Sequence, residues 1–216
     1  MDIEALEKLI KGRRSIRKWK KQSVPDEVLK KAVELATWAP NGGNFQGWRF
    51  VVVKNQAVIE AMANSVQAVA DKIAAWPEGA AWGEEVERAR KNSSYFRNAP
   101  VCIGVFIKKY VSAADKLLIA RESIDQEAKR ILSYRRSSPT AIQSAAAAVT
   151  TLLLVLHDAG LGAVWLGAPL IAKKEIETLL KAPEEMSLVC LVAAGYPDES
   201  PRRERRPVEE VLEFIR

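Results

Sequence analysis

The chain of 216 residues contains a single histidine, His157, and only two cysteines, Cys102 and Cys190. One histidine excludes a histidine-rich metal centre. It also makes any Ser/His/Asp hydrolysis hang on His157, which sits at the end of an apolar, helix-patterned stretch where a helix-terminal role suits it better. The cysteines have no metal-ligand spacing and lie inside apolar, strand-like runs, as buried thiols do. Long apolar runs are also missing. The longest, residues 145–156, is too short to span a bilayer and carries Thr150 and Thr151. The N-terminal dozen residues hold Asp2, Glu4, Glu7, Lys8 and Lys11, which is not a secretory leader. A cytoplasmic chain with no membrane association is expected. There is no low-complexity tract and no internal repeat, and 48% hydrophobic with 28% charged residues is ordinary globular composition.

The formal net charge is +6, and the excess falls in two short clusters, residues 13–21 and 202–206. Nucleic-acid binding is not expected, because the charge sits in two short clusters rather than along one helix face with interleaved aromatics. Two separated clusters suit a small anion gripped from both sides. They suit a solvated surface equally well, and charge alone does not separate the two.

Hydrophobic periodicity sets the order of elements. A helical stripe (Ile3, Leu6, Leu9, Ile10) runs to a stop at Gly12. Residues 13–19 read as extended, which would put Arg13, Ser15 and Arg17 on one face. A capping pattern over residues 23–26 opens a helix that stops before Pro40, followed by a turn over residues 41–44. Residues 48–53 and 101–107 read as strands, with helices over 56–75 and 83–95 between them. Residues 113–134 read as helical. Pro139 opens a helix to Asp158 that is apolar nearly all round, the pattern of full burial, and its alanines would admit a second backbone at a dimer seam. A short strand over 163–166, a helix over 173–180 and a strand over 187–194 follow. The tail, with Val208, Val211, Leu212, Phe214 and Ile215, is apolar enough to require a partner, either its own core or another subunit. The expected class is α+β, with helices flanking a modest central sheet.

Four motifs carry the chemistry: RRSIR (residues 13–17), APNGGNFQGWRFVVV (39–53), GLGAVWLGAP (160–169) and GYPDESPRRERRPVEEVL (195–212). A guanidinium fork bonds two phosphate oxygens at once, and a serine hydroxyl adds a donor. In this order and spacing the set resembles the nitroreductase family of FMN enzymes, over residues 13–53, 98–107, 142–170 and 188–213. The resemblance implies one nitroreductase-like FMN-binding domain over residues 1–216, with a central mixed or antiparallel sheet and an intertwined homodimer. Residues 62–98 would be a variable helical lid. It assigns the FMN phosphate and ribityl chain to Arg13, Arg14, Ser15 and Arg17. Pro40, Asn41 and Gly42, with Asn44 in the same loop, would reach the flavin across the dimer interface. Asn41 stands where the family usually has serine, and Gly47 where it has proline. Trp165, Leu166 and Gly167 would run past the ring and offer backbone N–H groups, while Arg205, with Arg203 as a second candidate, would return to the phosphate.

The implied activity is a two-step cycle. NADH or NADPH reduces FMN, and the electrons then pass to a small-molecule acceptor such as a nitroaromatic or quinone, with no catalytic side chain required. The alternatives are a specialised enzyme of the same fold, carrying out reductive dehalogenation or flavin fragmentation, or a non-catalytic flavin-binding protein. Trp76, Trp82, Tyr95 and Phe96 either roof the flavin or pack two helices together.

Overall fold

The computed structural model describes residues 2–216. The chain runs α1 (Ile3–Gly12), α2 (Asp26–Ala36), β1 (Trp48–Val53), α3 (Gln56–Ala74), α4 (Gly83–Lys91), β2 (Val101–Lys108), α5 (Ala113–Arg121), α6 (Gln126–Ser137), α7 (Thr140–Asp158), β3 (Gly162–Leu166), α8 (Lys173–Leu179) and β4 (Met186–Gly195). The strands form one sheet in the order β1-β2-β4-β3. Every pairing is antiparallel, so of the two sheet types expected this is the antiparallel one.

Helices cover both faces. On one, α3 and α8 pack Ile59, Met62 and Ile176 against Phe106, Leu188 and Leu191. On the other, α2 and α7 set Leu29, Ala32, Val149 and Leu152 against Ile103, Val105 and Val192. This explains why β2 and β4 read as continuous apolar runs rather than alternating ones: neither face meets water.

Local chemistry moves several expected boundaries. The helical stretch 113–134 is two helices. Asp125 accepts from the N–H groups of Glu127 and Ala128 and starts α6 afresh, while Ser112 and Asp115 close a capping box on α5. The helix expected over 83–95 ends at Lys91, with a separate 3-10 turn at Tyr95–Asn98. Pro25, not Ser23, stands at the N-cap of α2, without a side-chain cap bond.

α7 is not fully buried. Val149, Leu152, Leu153 and Leu156 face the sheet, but Ile142 and Thr150 are exposed. By length and composition Gln126–Asp158 passes for a membrane span, but Ser138 and Pro139 break it into α6 and α7, and α7 turns one face, with Val149, Leu152 and Leu156, onto the sheet. The tail also stays off the chain's own core, with Val208, Val211, Leu212, Phe214 and Ile215 all exposed.

Candidate functional site

α1 ends at Gly12, and the chain then runs extended along the outer edge of β3. Ser15 forms a parallel bridge to Ala163, and the Ile16 N–H donates to the Ala163 carbonyl at 3.1 Å. Ile16 and Trp19 are the buried anchors of this strap, and the Trp19 indole N–H donates to the Gly162 carbonyl at 2.8 Å. The opposite edge is sewn to the segment after β4. The Lys20 N–H donates to the Tyr196 carbonyl at 2.9 Å and the Asp198 N–H to the Lys18 carbonyl at 3.0 Å. Glu199 accepts from the N–H groups of Arg17 and Lys18. Gly162 permits this seat, since a Cβ there would lie 2.6 Å from Ile16 Cγ1.

Beside the strap opens a pocket of about 790 Å³. Its polar lining is Lys11, Arg13, Arg14, Ser15, Arg203 and Arg205, joined by Trp165 and, from α1 and α7, by Ile10, Thr150, Leu153 and Leu154. Burial and then the nearby charges of Arg205 and Arg14 push the Arg13 guanidinium below its ordinary pKa. Elsewhere Arg90, Arg97, Arg121, Arg130, Arg135 and Arg136 each reach a carboxylate. Among the described residues, Arg13, Arg14, Arg203 and Arg205 form no ion pair; Arg14 donates only to the Lys11 and Arg13 carbonyls, and Arg205 to the Glu204 carbonyl. What sets these four apart is that they line one pocket, where Arg13 feels the charges of Arg205 and Arg14, and a phosphate is the charge that would satisfy them.

The sheet supplies a second element. In an antiparallel strand a residue's N–H and C=O point to the same edge, and the edge alternates along the strand. Ala163 presents its carbonyl to the strap on the outer edge of β3. Trp165, two residues on, therefore directs its N–H and C=O to that same edge, next to the pocket its side chain lines. Leu166 turns inward and is buried, whereas Gly167 is exposed with open space around it. A flat, hydrogen-bonding ring lying along this edge would meet a backbone donor. Unpaired guanidinia and a free edge N–H fit the phosphate and ring of FMN.

The structure does not bring all the expected residues here. Arg17 is not in the pocket; its guanidinium faces Tyr95, which burial raises above its ordinary pKa against the opposing pull of Arg17. The strap touches its neighbours through isolated bridges and does not form a regular strand, so strict alternation fails after Ser15. The loop with Asn41, Gly42 and Asn44 lies toward the other end of α7. The Gly42 N–H donates to Ser144 Oγ at 3.2 Å, and Asn41 Oδ1 accepts from the Gln46 N–H at 2.9 Å. Ser144 and Leu154 are ten residues apart, about 15 Å of helix rise. Gly43, Asn44 and Gln46 all have left-handed backbone (φ 62°, 51° and 48°), a set conformation braced by Tyr110 beside Gly43.

In the 62–98 region, Phe96 is a core residue packed with α3, and Tyr95 is half-buried, while Trp76 and Trp82 are exposed. The sequence did not assign the apolar wall from α1 and α7 to the site; its signals were the apolar stripe ending at Ile10 and the nearly all-round apolarity of the helix after Pro139.

Known proteins share this architecture. A sequence model described as the Nitroreductase family matches residues 10–196. A BluB-like flavoprotein from Clostridium difficile 630 superposes over 100% of both chains with a TM-score of 0.85 and 30% identity. A nitroreductase with bound FMN from Desulfitobacterium hafniense DCB-2 shares the fold (TM-score 0.72, 22% identity, 100% of both chains). The iodotyrosine deiodinase of Thermotoga neapolitana is 27% identical over 97% of each chain. Another curated relative, from Caenorhabditis elegans, is longer, and the chain spans 59% of it.

Proposed function

The chain belongs to the nitroreductase family, and we propose that it is an FMN-dependent oxidoreductase whose cofactor is anchored by the arginine strap. The observation that carries this reading is the group of arginines without carboxylate partners at the free edge of β3. When bound, FMN supplies two-electron redox chemistry, accepting electrons from NADH or NADPH and passing them to a nitroaromatic, quinone or similar acceptor. Arg13, Arg14 and Arg205, with Arg203 at the rim, hold the phosphate, and Ser15 adds a hydroxyl donor. The Trp165 N–H orients the ring, and Leu153 and Leu154 exclude water from it. The fixed positive charge of the strap favours negative charge developing nearby.

The site is completed in a homodimer. The Asn41–Gly42 loop then reaches the partner's cofactor, and the uncovered apolar surface of α1, α7 and the tail becomes interface. Supporting this, α1 buries no residue within the chain while exposing Ile3 and Ile10, and Ile215 of the tail is 97% exposed. The whole chain acts as one cytoplasmic FMN-binding domain.

Similarity to the iodotyrosine deiodinase of Thermotoga neapolitana supports a second reading with the same cofactor, reductive dehalogenation of an aromatic substrate. The visible spectrum of the purified protein tests the cofactor. A colourless protein that takes up no added FMN removes both readings. A yellow protein bleached anaerobically by NADH or NADPH supports the first. One bleached only by dithionite, and then turning over 3-iodotyrosine but no nitroaromatic, supports the second. A monomer by light scattering that still holds FMN would contradict the shared site.

A further inference from the structure

The one histidine of the chain sits directly behind the strap. His157 lies in the last turn of α7, and its Nε2 is 3.0 Å from the position a Cβ would take on Gly12, the residue that ends α1. A side chain at Gly12 would press on the imidazole, so the ends of α1 and α7 meet closely here. On this side of the strap lies a second pocket of about 290 Å³, lined by Gly12, Arg14, His157 and Glu199, with glycines 160 and 162 at its back. Arg14 lines both pockets, so one residue borders both the proposed phosphate site and the space beside His157.

We infer that His157 is a positioning residue for the anion site, its proton and the bound phosphate each strengthening the binding of the other through Arg13 and Arg14. The charges around the imidazole are those of Arg13 and Arg14 on the strap, Asp158 on its own helix, and Glu199 from the segment after β4. Lys11 on α1 is already paired with Glu7. The α7 C-terminus by itself favours a protonated imidazole. Burial, and then repulsion from Arg13 and Arg14, outweigh this and the opposing pull of Asp158 and push His157 below its ordinary pKa. A phosphate on the guanidinia cancels their charge as seen from behind. His157 then binds its proton more readily, and by reciprocity a protonated His157 tightens the anion. The sign follows: the contribution is present at low pH and is lost as pH rises through the midpoint of the anion-bound state. Through Glu199, which holds the N–H groups of Arg17 and Lys18, the same pocket touches the strap backbone.

The inference rests on the phosphate-site reading, and the experiment separates the two. A single histidine gives one imidazole C2–H resonance, so its titration in the full chain is followed by NMR without assignment. Four samples are compared: flavin-free protein, protein saturated with FMN, protein with sulfate, and flavin-free Arg13→Ala. Sulfate is included because the FMN phosphate itself titrates near pH ~6, whereas sulfate does not. The expected result is a higher His157 midpoint with either anion and in Arg13→Ala. Sulfate should also bind about fivefold tighter at pH 6 than at pH 8, a difference that disappears in His157→Gln and is replaced by pH-independent tight binding in His157→Arg. An unmoved midpoint in Arg13→Ala and with sulfate overturns the inference, even if the protein is yellow. Absence of FMN uptake overturns the cofactor reading, and the sulfate and Arg13→Ala arms still decide the role of His157.

Discussion

Gly162→Ala tests how the strap is held. The added methyl would sit 2.6 Å from Ile16 Cγ1, 2.7 Å from its Cβ and 2.8 Å from its Cγ2. Ile16 has no room to yield: it is buried, β-branched and stiff at χ1, and its N–H is bonded to the next residue of β3. The strap must therefore lift off the strand edge. Overpacking of this kind costs about 1–3 kcal/mol, which for a chain of this size lowers the melting temperature by about 2–12 °C. The displacement moves Arg13 and Ser15 relative to Trp165 and Arg205. Losing one charge-assisted hydrogen bond of about 1.5 kcal/mol weakens FMN roughly tenfold. Differential scanning calorimetry and quenching of FMN fluorescence measure the two effects. Gly167→Ala is the control for the melting temperature alone, since no protein atom lies within 4 Å of the added methyl and its φ of −90° suits any residue. A Gly162→Ala protein with unchanged melting temperature and FMN affinity would refute the seating of the strap.

Arg13→Ala or Arg205→Ala should weaken FMN about 10- to 100-fold by equilibrium dialysis, whereas Arg17→Ala, whose guanidinium faces Tyr95, should have a much smaller effect. Cys102 and Cys190 are both pushed up to about 12, chiefly by burial; an aromatic disulfide reagent at pH 8 should find no reactive thiol in the native protein and two after denaturation. Hydrogen bonds from Arg90 and Lys91 hold Glu87 down to about 2, and Arg90 also pairs with Asp71 across the α3–α4 contact. A depressed carboxyl stabilises above its ordinary value of 4.5 and loses that contribution as pH falls toward about 2. Protection of residues 83–91 from hydrogen exchange should therefore fall relative to β2 over that window, and Arg90→Ala should produce the same loss at neutral pH.

Much of this was legible in the linear chain because it depends on neighbours in sequence. Helix and strand periods located all four strands and most helices to within a few residues, and the breaks that were missed are local too: the Asp125 cap splits one helical stretch, and a turn at Asn92 ends α4 early. The arginine segment and its companion motifs also carry the resemblance to the family in their order and spacing alone.

The sequence by itself determined the α+β class, the apolar strands, a single histidine and two arginine clusters. Only the tertiary structure decided which cations meet. Residues 13–15 and 203–205 are some 190 positions apart, and no local period encodes their approach. Register decided the rest, because a shift of one residue exchanges the two edges and faces of a strand. The Ser15–Ala163 bridge directs the Trp165 N–H outward, Arg17 turns away from Arg13, and the Asn41–Gly42 loop ends up at the far end of α7. Packing of α1 on α7 likewise set the lone histidine behind the strap, turning a residue that read as a helix terminus into a neighbour of the anion site.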